Sequence, residues 1–152
     1  MPFARRASTE MRALLDINVL IALLDANHVH HRRAREWLLA AAPQGWASCP
    51  LTQNGCVRIL SQPAYPSPQP PSIVIDRLRA AVAHPSHAFW PDEVSLLDDR
   101  AVDARRVLGP RQVTDLYLLA LAVRNGGRLA TFDAGIPISP IRGATADHRV
   151  VV

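Results

Sequence analysis

A helix, a glycine stop and a short strand follow one another in the segment Val113–Asp133, VTDLYLLALAVRNGGRLATFD. The apolar run Leu116–Val123 predicts a buried helix that ends before the paired glycines, and Arg128–Phe132 has the character of a short strand. Acidic residues lie at both ends of this unit, Asp115 in the first helical turn and Asp133 directly after the strand. A helix–turn–strand unit folds back on itself, so these two carboxylates can lie close together in space.

The rest of the chain alternates between predicted strands and helices. A strand over Arg12–Asp16 precedes a helix from Asn18 to about Leu24, because an Asp-x-Asn step caps a helix well. The alternation predicts an α/β domain with a mainly parallel central sheet. The remaining predicted elements are a helix over His30–Ala41, a strand over Trp46–Ser48, a helix from Thr52 to Leu60, an irregular proline-rich loop over Ser61–Pro71, a helix over Ile73–Ala83 capped by Ser72, extended pieces over His87–Trp90 and Val94–Leu97, a helix over Asp98–Leu108 and a strand over Arg149–Val152.

Length and charge narrow the class of protein. The chain has 152 residues, 49% of them hydrophobic, which suits one compact domain and is too few for two. All 17 basic residues are arginine and the formal net charge is +4. Guanidinium groups bind phosphate oxygens in pairs, which indicates a phosphate-rich partner. The high content of Ala, Arg and Pro fits a GC-rich genome equally well.

Neither a membrane span nor a disulfide framework is predicted. The apolar runs Ile17–Leu24 and Leu116–Val123 are far shorter than the roughly 20 residues that a membrane helix needs. The first ten residues lack the apolar segment of a secretory signal. Cys49 and Cys56 are too few for a disulfide scaffold, so we interpret them as buried thiols of a cytoplasmic protein.

Three acidic residues occupy the same edge of the predicted sheet. Asp16 ends one strand, Asp133 follows another, and Asp115 begins a helix after a Thr114 cap. Each has an ordinary explanation alone, because Asp is common in turns and in first helical turns. Together, three carboxylates at the carboxyl edge of a parallel sheet repel one another unless a cation neutralises them. A hard divalent ion such as Mg²⁺ suits this ligand set.

Histidines are clustered at the start of the second predicted helix. His28, His30 and His31 have no cysteine or carboxylate at the spacing that a metal site requires. We therefore interpret them as packing, capping or surface residues.

Three stretches, LLDINVLIALLD, CPLTQNG and VTDLYLLALAVRNGGRLATFD, together resemble the PIN-domain ribonucleases, in particular the VapC toxins of bacterial toxin–antitoxin pairs. The resemblance covers nearly the whole chain. It implies a three-layer α/β/α domain with a central, mainly parallel sheet over residues 11–152. Separately, Met11 can serve as the native start, in which case residues 1–10 are expected to be a flexible N-terminal arm. The resemblance also implies an endoribonuclease that hydrolyses phosphodiesters with water activated by Mg²⁺, or alternatively by Mn²⁺.

The family arranges four acidic residues around one or two metal ions. Carried over by position, Asp16 and Asp115 are the expected metal ligands, and Asp133 is the third catalytic acid. The resemblance thereby gives the three carboxylates a shared role.

Polar residues at three other motif positions are expected to support these acids. Asn18 and Thr131 match the supporting positions of the family. Gln53 departs from the pattern, because the family usually has an acid there. An amide can donate its carbonyl oxygen to a metal or a water but adds no charge, so we expect weaker binding of a second ion.

Nucleic acid and protein partners follow from the resemblance. Arg58 and Arg111 flank the predicted edge and are the expected contacts to RNA phosphates. A cognate VapB-type antitoxin and a homodimer are implied, with no membrane. Two alternatives stay open at this point: a nucleic-acid-binding or regulatory protein without turnover, because Gln53 replaces the usual acid, and, less favoured for so short a chain, a DNA repair nuclease of the same superfamily.

Overall fold

A computed structural model describes residues 11–152, and the arm predicted over residues 1–10 lies outside the described residues. The described chain contains one sheet whose strands are all parallel, in the spatial order β3-β2-β1-β4-β5. Because neighbouring parallel strands end on the same side, residues that follow β1 and β4 meet at one edge. The strands are β1 Ala13–Leu15, β2 Trp46–Ser48, β3 His87–Phe89, β4 Arg128–Thr131 and β5 Arg149–Val151.

Helices cover both faces of this sheet. Along β1, Leu14 packs with the buried side of α5, whereas Leu15 packs with residues of α1, α3 and α4 on the opposite face. This division follows from the alternation of side chains along a strand. The α/β/α domain with a parallel sheet that the sequence predicted is therefore confirmed. The helices are α1 Ile17–Leu24, α2 His31–Ala41, α3 Pro50–Leu60, α4 Pro71–Val82 and α5 Val113–Arg124.

Several predicted helix starts were wrong by one or two residues. Asp16 itself caps α1, so that helix begins one residue before Asn18. Thr52 lies in the first turn of α3, where its hydroxyl accepts a hydrogen bond from the Cys49 backbone N–H at 3.1 Å. Ser72 lies inside α4, because proline tolerates the first helical turn and starts that helix earlier. Thr114 likewise lies inside α5.

The helix predicted over Asp98–Leu108 was wrong. The Asp98 carboxylate accepts the backbone N–H of Arg100 at 3.0 Å, and the Asp103 carboxylate accepts that of Arg105 at 3.3 Å. Such turns compete with helical hydrogen bonds, and only a single 3-10 turn forms over Ala104–Arg106.

The extended piece predicted over Val94–Leu97 does not form a strand either. Val94 and Leu96 instead pack against the core beside α5 without a partner strand. Their apolar side chains provide burial, but burial alone does not add a strand to the sheet.

Within residues 11–152, no helix has the length and hydropathy to cross a bilayer, since the longest have 12 residues. Cys49 and Cys56 are free, buried thiols, as predicted. Burial raises the pKa of the Cys56 thiol to about 12, so it stays protonated.

Candidate functional site

The three acids selected from the sequence line one open pocket of about 370 Å³ at the carboxyl edge of the sheet. Asp16 follows β1, Asp133 lies just beyond β4, and Asp115 is in the first turn of α5. The lining also includes Asn18, Thr131 and Phe132. Residues that are more than 100 positions apart in the chain thus share one pocket, as the parallel sheet requires.

Asp16 is the most firmly oriented of the three. It is buried, and one carboxylate oxygen accepts the backbone N–H groups of Asn18 at 2.7 Å and Val19 at 3.3 Å, which caps α1. The other oxygen accepts the Thr131 hydroxyl at 2.8 Å. Hydrogen bonds to both oxygens hold the carboxylate plane in one orientation.

Thr131 connects Asp16 to the region of Asp133. Its hydroxyl oxygen accepts the backbone N–H of Asp133 at 3.0 Å while the hydroxyl donates to Asp16. The Asp133 carboxylate accepts the Gly135 N–H at 2.7 Å and is exposed to solvent. One buried hydroxyl therefore links the fixed Asp16 carboxylate to the backbone of Asp133.

Asp115 is destabilised in its charged form. Burial raises its pKa to about 6, and the charges of Asp16 and Asp133 add to that effect. The pKa of Asp16 is raised by burial as well, although its hydrogen bonds to Thr131 and the α1 backbone oppose the rise. The carboxylates are therefore close enough to repel one another across the pocket.

A divalent cation would relieve this repulsion. None of the ion pairs found within residues 11–152 involves these three acids, and no arginine lines the pocket. Among the same residues, no three His, Cys, Asp or Glu side chains are close enough to ligate a single ion together. The donor set fits Mg²⁺, which binds one or two carboxylates directly and keeps several waters.

The profile described as the PIN domain matches residues 13–138 of the sequence. The chain belongs to the PIN-domain family. It is also 53% identical over 138 residues to ribonuclease VapC44 of Mycobacterium tuberculosis (strain H37Rv), covering 91% of this chain and 97% of that protein. Ribonuclease VapC39 of the same strain is 46% identical over 134 residues, covering 88% of this chain and 96% of that protein. Within the PIN-domain family, the chain is thus a member of the VapC ribonucleases, as predicted from the sequence.

Solved VapC structures share the fold at low identity. The sarcin–ricin-loop-cleaving toxin VapC20 of M. tuberculosis has a TM-score of 0.57 at 14% identity and covers 87% of this chain and 98% of its own. VapBC2 of Rickettsia felis, solved with a DNA fragment of its promoter, has a TM-score of 0.52 at 13% identity, covering 84% and 94% of the two chains. These similarities confirm the PIN-like fold class.

Gln53 lies outside the VapC carboxylate pocket. Its side-chain amide donates to the Ser48 hydroxyl oxygen at 2.9 Å, and that oxygen lies 2.8 Å from the His87 ring nitrogen Nε2. Burial lowers the pKa of His87, which keeps its ring neutral and able to accept the Ser48 hydroxyl. The residue at the family's usual acidic position is thus part of a hydrogen-bond network between β2, α3 and β3.

The two arginines selected from the sequence also lie away from the carboxylates. Arg58 lines a groove between α3 and α4, together with Gln53, and Arg111 is exposed in the 3-10 turn Pro110–Gln112 before α5. Neither contributes to the pocket lining. Any contact with RNA phosphates would lie beyond that pocket.

The sequence analysis did not predict Phe132 as a site residue, although it lines the pocket. Its place between the motif residues Thr131 and Asp133 could have indicated this. The histidine cluster has local roles: the His28 ring accepts the His30 backbone N–H at 3.0 Å, and the His31 ring lies 2.7 Å from the Ala22 carbonyl. The His30 ring packs on Phe132.

Proposed function

We propose that this protein is a Mg²⁺-dependent endoribonuclease and the toxin of a toxin–antitoxin pair, which hydrolyses RNA phosphodiesters with an activated water. The enzyme class follows from membership of the VapC ribonucleases: the chain is an endoribonuclease. The observation that carries the metal mechanism is the pocket shared by Asp16, Asp115 and Asp133, in which burial, together with the charges of the other two acids, raises the pKa of Asp115 to about 6.

The acids have separate roles in this proposal. Asp16 and Asp115 would hold the ion, Asp16 as the ligand oriented by its hydrogen bonds and Asp115 as a carboxylate whose charged form is disfavoured by burial and by the neighbouring acids. When bound, Mg²⁺, or alternatively Mn²⁺, supplies a Lewis acid and a water of lowered pKa. Asp133 is exposed, so its carboxylate can orient the water that attacks phosphorus. A P–O bond to the water oxygen forms as one P–O ester bond breaks, and the departing ribose oxygen takes up the proton that the water loses.

The supporting residues act through the three acids. Thr131 fixes the Asp16 carboxylate, and Asn18 donates its backbone N–H to the same group. Gln53 supports the edge of the sheet through Ser48 rather than as a charged ligand, which favours a site with one metal ion. Arg58 and Arg111 bind RNA phosphates beyond the pocket.

Protein partners and location complete the proposal. Membership of the VapC family supports a cognate VapB-type antitoxin, and the related VapBC2 assembly is consistent with such a partner. We further propose that the toxin is a homodimer and acts in the cytoplasm.

A nucleic-acid-binding protein without turnover is the alternative, and it is not favoured because the relatives VapC44 and VapC39 are both named ribonucleases. The test is incubation of purified protein with structured RNA in Mg²⁺, with EDTA and Asp16→Asn as inactivated arms. Asp99→Asn is the matched control, because Asp99 is exposed and does not line the pocket.

Cleavage by the wild type and by Asp99→Asn, but not in EDTA or by Asp16→Asn, is the expected result. Cleavage that persists in EDTA would exclude the metal mechanism. Metal-dependent binding of RNA without any cleavage would favour the alternative.

A further inference from the structure

Phe132 connects the carboxylate pocket to the start of α2. Phe132 lines the pocket beside Asp133 and is half-buried. The His30 ring centroid lies 4.9 Å from the Phe132 centroid, and the Arg33 guanidinium carbon lies 4.9 Å above the same ring. His30 and Arg33, at the start of α2, therefore form a basic rim beside the pocket.

Arg33 has its hydrogen-bonding capacity free. Within residues 11–152 its guanidinium makes no ion pair and no hydrogen bond, although the neighbouring Arg32 pairs with Glu36 at 3.1 Å. A guanidinium that lies over an aromatic ring keeps the N–H groups at its edge available to an acceptor. The stacking also restricts the side chain, so less conformational freedom is lost when a ligand binds.

The charge at the start of α2 is unfavourable for the free protein. The first turn contains His31, Arg32 and Arg33 and no acidic residue, although the positive end of the helix dipole lies there. Cations at this position repel the dipole, so folding alone does not account for them. An anion bound at this rim would be attracted by Arg33 and by the helix end together.

We propose that Arg33, stacked on Phe132, binds the RNA phosphate adjacent to the one that is hydrolysed at the three carboxylates. Phe132 is the positioning residue, and the guanidinium edge donates two hydrogen bonds to the phosphate oxygens. The inference rests on the proposed function and adds a substrate contact to it. Arg58 and Arg111 do not line the pocket, whereas Arg33 lies against Phe132, which does.

Binding is measured by fluorescence anisotropy with a labelled, unstructured oligoribonucleotide in Mg²⁺, across a range of salt concentrations. The measurements use the Asp115→Asn background, so that the probe is not cut. Arg33→Ala is compared with Arg32→Ala, which removes the same charge one residue away and breaks only an exposed ion pair. In the wild-type background, kcat and KM for cleavage are determined for the same two variants.

Arg33→Ala is expected to raise Kd on the order of tenfold. It should also reduce the steepness with which the logarithm of the association constant falls with the logarithm of the salt concentration. The expected reduction is about 0.7, the value for one lost phosphate contact to a single strand. Arg32→Ala should change neither quantity. In the cleavage assay Arg33→Ala should raise KM more than it lowers kcat, because the contact is to a phosphate that does not react.

If Arg33→Ala and Arg32→Ala change Kd equally, the inference is wrong. Cleavage of RNA by the wild type would show that the proposed function still holds in that case. Weaker binding with an unchanged salt slope would also overturn the inference, because stacking on a base does not depend on salt in this way. An inactive wild type that binds no RNA would instead refute the proposed function, and the inference with it.

Discussion

The Thr131 hydroxyl donates a hydrogen bond to the Asp16 carboxylate at 2.8 Å, across 115 positions of the sequence. Both residues are buried, at the ends of the neighbouring strands β1 and β4. The same hydroxyl oxygen accepts the Asp133 backbone N–H. A single threonine therefore sets the position of one proposed metal ligand and of the loop that carries the third acid.

Replacement of that threonine should reduce both stability and activity. Thr131→Val keeps the shape but leaves an Asp16 oxygen and the Asp133 N–H without a partner, which should cost about 1–3 kcal/mol in the free energy of unfolding. The pKa of Asp16 should rise further, because the bond to Thr131 lowers it. Urea unfolding and the Mg²⁺ dependence of cleavage measure the two effects.

Thr131→Ser is the matched control, because it retains the hydroxyl. It should recover most of the Mg²⁺ affinity even if the lost methyl group reduces stability. Equal Mg²⁺ affinity in the Val and Ser variants would show that the hydroxyl does not orient Asp16.

Protonation of Asp115 should make the stability of the metal-free protein depend on pH. The pKa of about 6 in the folded state lies above the ordinary value of 3.8, so the folded state holds this proton more tightly than the unfolded chain does. The resulting stabilisation is fully present below about pH 4 and is lost as the pH rises through about 6. Asp115→Asn removes this dependence, and in EDTA it should be more stable than the wild type near neutral pH by about 1 kcal/mol, since water screens a half-buried side chain.

Thermal unfolding of both proteins in EDTA from acid to neutral pH measures this difference, which should grow across the interval between the two pKa values. Asp99→Asn should follow the wild type at every pH. A constant difference between Asp115→Asn and the wild type would contradict the assignment.

Mg²⁺ should make the wild type more stable than Asp115→Asn, which is the reverse of the order expected in EDTA. A ligand that binds only the folded state raises Tm with its concentration, so millimolar Mg²⁺ should raise the Tm of the wild type. Asp115→Asn should respond much less, because one of the two proposed ligands is lost. A full response of Asp115→Asn would place the ion elsewhere.

Restoring an acid at position 53 should affect the hydrogen-bond network more than the metal site. Gln53 donates to Ser48, which a glutamate carboxylate cannot do, so Gln53→Glu should lower the free energy of unfolding by about 1 kcal/mol. Its effect on Mg²⁺ affinity, measured by calorimetric titration, should be small, because residue 53 does not line the pocket.

Gln53→Ala is the comparison for this change, since it removes the donor without adding charge. It should be destabilised to a similar extent. A tenfold gain in Mg²⁺ affinity that is specific to Gln53→Glu would instead show that an acid at this position reaches the ion.

The glycine between α5 and β4 should not tolerate a side chain. A Cβ on Gly127 would lie 2.5 Å from the Arg12 carbonyl oxygen and 2.5 Å from the Trp90 ring. Gly127→Ala should therefore destabilise the fold by about 1–3 kcal/mol through overpacking. Gly109→Ala, where no atom lies within 4 Å of the new Cβ, is the control for the substitution itself and should unfold close to the wild type.

Local patterns predicted most of the regular elements and failed where side chains compete with the backbone. The apolar run in α5 and the strand of β4 formed as predicted. The Asp98–Leu108 helix did not, because two aspartates bind the backbone N–H groups two residues ahead. Helix propensity describes how well a residue fits a regular helix. It does not include the hydrogen bonds that an aspartate side chain can make to nearby backbone N–H groups instead.

The amino-acid sequence by itself predicted the parallel α/β fold and the three acids at the sheet edge, because the alternation of strands and helices is a property of the chain alone. Its three motif stretches also carried the resemblance to the VapC ribonucleases. Only the tertiary structure decided which side chains accompany those acids. It tied Gln53 to Ser48 and laid Arg33 over Phe132. Both contacts join separate elements of the chain, and packing rather than local sequence sets the distances between them.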